Sequence, residues 1–220
     1  MKNSNFLFLE LPLISNKNNL NSENSKPKKI KFQVSRINTL SSQKEDSYFD
    51  SDSGLYFTLI GYISNFDELN KTYLSNYDSD LQLIPFLWKL LKGDVFTVLK
   101  GVFTLVIYNT YTGGLCIFLD EYGYNQPLYY AKLNNVFYFS SSLKQLLSKS
   151  DCVREMDKES VRQFLLTGFL YFGNVVPSEK TLFKSINKLL PSQIIFRNSF
   201  DETPKIILKK TYNKKVSSWY

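Results

Sequence analysis

The apolar residues of this 220-residue chain fall into short runs of two different periods, and polar, turn-forming segments separate them. Phe6-Leu7-Phe8-Leu9 opens the chain and reads as a buried first strand over 6–12, because Glu10 and Pro12 interrupt it and no small-residue cleavage site follows. Asn16 to Lys29 is rich in Asn, Ser and Lys and reads as an exposed loop; a strand is expected at 31–37. Ser41 to Gly54 reads as a second polar loop, ahead of Leu55-Tyr56-Phe57-Thr58-Leu59-Ile60, whose β-branched and aromatic content suits a buried strand over 55–63.

Two helices follow in the pattern. Ser64 or Asn65 can cap the first, over 66–74, with Asp67 and Glu68 in its first turn. In the second, over 80–92, Leu83, Phe86, Leu87, Leu90 and Leu91 recur at helical spacing, with Ser79 or Asp80 at the start and Gly93 as the expected stop. From Gly101 onward the chain reads as an antiparallel meander: strands at 102–108, 115–119, 128–131 and 136–140, with turns at Thr112-Gly113-Gly114 and Asn134-Asn135. Helices are expected at 142–148 and at 157–167, the latter between a capping Asp157 and a terminating Gly168, and late strands at 193–197 and 205–209. This mixed order with antiparallel turns predicts α+β layers rather than a doubly wound parallel sheet.

Composition narrows the chemistry. A content of 43% hydrophobic and 16% aromatic residues suffices for a real core. Histidine is absent, which excludes Ser-His-Asp and Cys-His catalysis and histidine metal sites. Cys116 and Cys152 form neither a disulfide framework nor a zinc spacing, so no metal is expected and a reduced, cytoplasmic setting fits. The net charge of +7 is terminal: residues 1–50 hold 8 basic and 5 acidic side chains, and residues 201–220 hold 5 and 2. With no basic stripe interleaved with aromatics, no nucleic-acid partner is expected. The apolar stretch Val95 to Tyr108 contains Lys100 and Gly101 and falls short of the roughly 20 residues that cross a bilayer, so no membrane association is expected either.

Read as a unit, Asp120-Glu121-Tyr122-Gly123-Tyr124-Asn125-Gln126-Pro127-Leu128-Tyr129-Tyr130, followed by Phe137-Tyr138-Phe139-Ser140-Ser141-Ser142-Leu143-Lys144-Gln145-Leu146, resembles the amidotransferase domain of asparagine synthetases. That family writes Arg-Asp-x-x-Gly-x-x-Pro-Leu-Tyr-Tyr and then Phe-Ala-Ser-Glu-x-Lys-x-Leu. Here Leu119 replaces the arginine, one residue is inserted before Pro127 and Ser142 replaces the glutamate. Gly61-Tyr62-Ile63-Ser64-Asn65 resembles the family's Gly-Glu-Ile-Tyr-Asn, and Ser79-Asp80 its Ser-Asp-x-Glu, with Gln82 in place of the acid. The late segment from Asp157 to Pro191, through Thr181-Leu182-Phe183 and Leu189-Leu190-Pro191, resembles the approach of many members to their synthetase domain. The resemblance spans roughly residues 30 to 200 in order, and it implies the fold of N-terminal-nucleophile hydrolases, a four-layer αββα sandwich.

The resemblance also implies a chemistry that this chain does not carry. Family members attack glutamine with an N-terminal cysteine whose own α-amine is the base. Here position 2 is Lys2, no cysteine precedes Cys116, and Ser4 lies among simple polar residues. The family's oxyanion asparagine, just before the glycine, is Ile60, which cannot donate; the Gly61 backbone still can. Arg36 and Asp80 stand near the family's positions for holding glutamine's carboxylate and ammonium, so Arg36, Gly61 and Asp80 are expected as a vestigial pocket. The plainer reading of Arg36 and Asp80, as surface or capping residues, stands beside it. No catalytic residue is expected.

The expected organisation is a degenerate class II amidotransferase-like domain over 1–200 and a basic strand or linker over 201–220, with the synthetase domain absent. Its expected role is the structural or regulatory partner of an asparagine-synthetase-like ligase or cyclase, as in β-lactam synthetases and lasso-peptide cyclases. ATP and Mg are expected only in that partner. A stand-alone amino-acid or peptide binding module is the alternative. The apolar residues Phe164, Leu165, Phe169, Leu170 and Phe183, with Phe169 to Phe172 read as a loop, mark the late segment as the expected partner surface.

Overall fold

In a computed structural model these runs pair into two large antiparallel sheets, each belonging to one compact unit of the chain, and one two-stranded ribbon. The structure describes residues 6–12, 31–35, 47–134, 136–150, 152–172, 176–200 and 202–208. Lys2, Ser4, Arg36 and most of the basic tail lie outside them.

The first unit comprises residues 1–39 and 127–190. Its sheet takes strands β1 (Phe6–Pro12), β2 (Lys31–Ser35), β7 (Tyr129–Leu133), β8 (Val136–Ser140) and β11 (Asn187–Lys188), in the order β11-β7-β8-β1-β2. Helix α4 (Leu143–Leu147) sets Leu146, flanked by Leu143 and Leu147, against Ala131, Leu133 and Tyr138 to form this unit's core. Helix α5 (Lys158–Thr167) begins and ends as its residues dictate. The Asp157 carboxylate accepts the Ser160 N–H at 2.7 Å, and Gly168 adopts the left-handed φ of 74° that stops a helix. The segment read as a loop after Gly168 contains a two-residue strand, β9 (Tyr171–Phe172), paired with β10 (Val176–Pro177). Phe183 packs on the unit's own core.

The second unit, residues 40–126 and 191–220, holds β3 (Ser47–Asp50), β4 (Leu55–Ile63), β5 (Gly101–Asn109), β6 (Leu115–Leu119), β12 (Gln193–Arg197) and β13 (Lys205–Leu208), in the order β13-β12-β6-β5-β4-β3. Strand β3 lies inside the segment read as a polar loop; a four-residue edge strand needs only one paired side and hides easily in Ser- and Asp-rich sequence. Helices α1 (Phe66–Thr72), α2 (Asp80–Leu91) and α3 (Val95–Val98) cover one face. The period-two residues Leu55, Phe57, Leu59 and Ile63 meet Leu83, Ile84, Leu87 and Trp88 of α2 and Phe96 of α3, all buried. Rings of Phe96 and Phe118 lie 4.7 Å apart. Helix α2 stops one residue before the expected position: Lys92, not Gly93, takes the positive φ of 52°, and Gly93 lies in a 3-10 turn leading to α3. Asn65 stands at the N-cap of α1 without a side-chain capping bond, because its amide is used elsewhere.

Candidate functional site

Of the residues singled out by sequence, Gly61 lies near the end of β4 and Asp80 bonds to that strand's final residue. Gly61 pairs with Phe103 at a φ of 109°, and a Cβ there would collide with the Val102 carbonyl oxygen, so the close approach of β4 and β5 requires glycine. Two residues on, the Ile63 N–H donates to Asp80 Oδ2 at 3.1 Å, which joins the first residue of α2 to the strand. Asn65 braces the same corner: its Nδ2 donates to the Val98 carbonyl at 2.9 Å, and its Oδ1 accepts the Lys100 N–H at 3.0 Å. The structure therefore ties Asp80 to Ile63, two residues along β4 from Gly61, while Arg36 lies outside the described residues.

Above this corner lies the loop from Asp120 to Gln126. The Asp120 carboxylate is 1% exposed and accepts three backbone N–H groups, from Tyr122 and Tyr124 at 3.1 Å each and from Asn125 at 3.2 Å. A carboxylate so engaged is a loop-builder, not an acid or base facing substrate. Asn125 then pins the loop to the sheet. Its Nδ2 donates to the Ile60 carbonyl at 2.8 Å and to Thr104 Oγ1 at 3.0 Å. Sequence reasoning passed over Asn125; its place beside the one-residue insertion was the available signal.

Ile60 is itself buried and pairs with Thr104, so the position that precedes Gly61 presents an alkyl side chain. Beside the corner runs a groove of about 400 Å³ lined by Tyr62, Lys100, Glu121, Tyr122 and Tyr124, among others. Tyr62 stands on β4 and Tyr122 and Tyr124 on the loop tied down by Asp120; all three are mostly in water, with Tyr122 and Tyr124 stacked at 5.5 Å. Both cysteines are free thiols and buried, Cys116 within β6 and Cys152 in the first unit's core. Among the described residues no group of three or more Cys, Asp or Glu side chains is placed to hold a metal, and no helix is long and apolar enough to cross a membrane.

Comparison with known proteins defines first the class and then the family. The chain shares its fold with a solved structure described as the allosteric regulatory enzyme of purine biosynthesis: TM-score 0.52, 13% identity, covering 94% of this chain and 44% of that one. Another similar structure is the glutamine phosphoribosylpyrophosphate amidotransferase of B. subtilis complexed with ADP and GMP, at TM-score 0.47 and 15% identity, covering 75% of this chain and 31% of that one. The fold is α+β, of the N-terminal-nucleophile hydrolase type. Residues 28–210 match the glutamine amidotransferase domain family, and the chain belongs to it. Over 170 residues it is 31% identical to asparagine synthetase [glutamine-hydrolyzing] 1 of Bacillus subtilis (strain 168), an alignment that covers 76% of this chain and 26% of that protein. The chain thus corresponds to about a quarter of the curated relative's length.

Proposed function

We propose that this amidotransferase domain has lost glutamine hydrolysis and serves as the structural or regulatory part of an ATP-dependent amide-forming ligase or cyclase. The observation that carries the reading is Ile60. It occupies the position whose side chain must donate to a developing oxyanion, and its own carbonyl is engaged by Asn125, so that corner is built as structure. A second line of support is the thiols: Cys116 and Cys152, the two cysteines of the sequence, are buried in the body of the two units, so neither is presented as a nucleophile.

In such a system the partner activates a carboxylate with ATP and Mg, and an amine of the substrate attacks it, so ammonia from glutamine is not needed. The relative of which this chain matches 26% is named as a synthetase, which supports a partner of that kind. The buried free thiols suit a reducing, cytoplasmic setting. In this reading Asp80 is kept for the joint it makes with Ile63, and Gly61 for the close approach of β4 and β5.

The test is release of ammonia or glutamate from glutamine, with a glutaminase-competent homologue as control. No turnover above background is expected; turnover that persists through further purification overturns the reading. The tyrosine-lined groove favours one other reading, a stand-alone amino-acid or peptide binding module. A saturable thermal shift with free glutamine or a short peptide, in the absence of any ligase, would select it.

A further inference from the structure

Helix α5 shows one face whose chemistry the fold of its own unit does not use. Of its ten residues only Ser160 is buried. Val161 and Leu165 lie one helical turn apart and, with Met156 and Leu166, line an apolar groove of about 530 Å³ that also takes in Lys158 and Arg162. Leu165 is 78% exposed and Leu166 74%.

The face is also held still. The Asp157 N–H donates to the Leu182 carbonyl at 2.9 Å, Lys184 N–H to the Glu155 carbonyl at 3.0 Å, and Met156 bridges Phe183. The Lys184 ammonium pairs with Glu155. Exposed leucines on a fixed helix lose little freedom on being covered, which favours binding.

We propose that this stripe of α5 docks against an acid-rimmed apolar surface of the amide-forming ligase; the identity of the partner rests on the function proposed above, and the location and chemistry of the contact do not. Charge selects the occupant. A second copy would bring Lys158 and Arg162 of each chain toward the same pair on the other. Segments of this chain outside the described residues offer no net negative charge: 13–30 carries four lysines and one glutamate, 209–220 four lysines and no acid, and 36–46 balances Glu45 and Asp46 with Arg36 and Lys44. A surface with Asp or Glu around an apolar centre satisfies both basic groups. Arg162 is available for it, since its contact with Glu159 is 3.8 Å long between side chains that are each more than 70% exposed. Three-quarters of the synthetase relative lies beyond the part this chain matches, so a large partner surface exists in the family for such a face to meet.

The experiment uses the full chain and the recombinant asparagine-synthetase-like ligase of the same genome, recognised by its Ser-Gly-Gly-x-Asp-Ser loop. Affinity is measured by calorimetry for the wild type, the Leu165→Glu/Leu166→Glu variant and the Lys158→Glu/Arg162→Glu variant, alongside Tm and molecular mass. The leucine variant is expected to bind about 30-fold or more weakly, as loss of an apolar anchor does. The charge variant is expected to bind about 10-fold more weakly and to lose most of the salt dependence. Tm should be unchanged in both. Wild-type affinity in both variants overturns the proposed contact and leaves the ligase reading standing. Failure of the wild type to bind at tens of micromolar removes both. A wild-type dimer that the leucine variant splits, or a Tm that falls by several degrees in that variant, places a second copy or the chain itself on the stripe and overturns the proposal.

Discussion

Helices α2 and α5 are of similar length and each carries an apolar stripe, but they spend it differently. In α2 the stripe of Leu83, Ile84, Leu87 and Trp88 is wholly buried against the sheet of the second unit. In α5 the stripe of Val161, Leu165 and Leu166 faces a groove open to water, and the helix is kept in place from its ends, by the Asp157 cap, the Gly168 stop and the backbone bonds around Met156. Amphipathicity alone therefore does not say whether a helix belongs to a core. What decides is whether the residues across from it are apolar and within the same chain, as Phe57, Leu59 and Phe96 are for α2.

The most direct way to break the comparison is to cut into the α2 core. Trp88→Ala removes the largest fully buried side chain, which meets Phe96 edge-on at 5.9 Å; the cost is expected to be about 3–5 kcal/mol, read as a fall in the denaturant midpoint at constant slope. A smaller but still large loss is expected at Asp120. Asp120→Ala leaves the N–H groups of Tyr122, Tyr124 and Asn125 without their acceptor, at about 3 kcal/mol. Hydrogen exchange should accelerate at those three amides before any other part of β5 or β6 responds.

The contrast between the two helices also marks how far the sequence could be read. Strand β4, the β5–β6 hairpin and both ends of α5 follow from local signals: alternation, a capping Asp and a terminating Gly. The α2 stripe follows only in part: Leu83 and Leu87 are buried as expected, but Phe86 and Leu91 only partly so, and Leu90 is 55% exposed while Ile84 and Trp88 complete the buried face. Strand β3 and the two-residue strands β9, β10 and β11 do not, because their pairing depends on partners remote in sequence. Helix α3 runs into β5 as one apolar stretch, in which periodicity separates nothing. Arg197, at the end of β12, carries no local signal of its place: it is 1% exposed, its Nε donates to the Gly113 carbonyl at 2.9 Å, and burial pulls its pKa down. At the candidate site, Gly61 and Asp80 were singled out through their motifs. Asn125 was not, since its work lies 65 residues away at Ile60.

A finer measure of the second unit is the pair Asp50–Lys89, which ties β3 to α2 at 2.8 Å. Its hydrogen bond with Lys89, then that with Ser53, holds the Asp50 carboxyl below the usual carboxylate range, and the same bond raises Lys89. A carboxyl with a depressed native pKa stabilises the fold fully above its unfolded value, near pH 4, and loses that contribution as pH falls through the native value. Asp50→Asn is therefore expected to cost about 1 kcal/mol at pH 7, kept small because the Lys89 side chain is half in water, with the difference from wild type closing as pH falls below 4. Urea melts of both proteins across pH 2 to 7 measure it.

The smallest effect is the one that most sharpens the comparison. Leu165→Ala/Leu166→Ala strips two large apolar side chains from α5, the same chemical change that in α2 would open a cavity. Here both side chains stand mostly in water, so little buried area is lost and no void is left. Alanine is also the best helix former, at least equal to leucine at an interior helical position. The net change in stability is expected to lie within about 0.5 kcal/mol of zero. Thermal melts of the isolated chain decide the matter: an unchanged Tm marks the α5 stripe as surface in this chain, whereas a loss of 2 kcal/mol or more, as for a core leucine, would show that a segment of the chain covers it and that the two helices are, after all, alike.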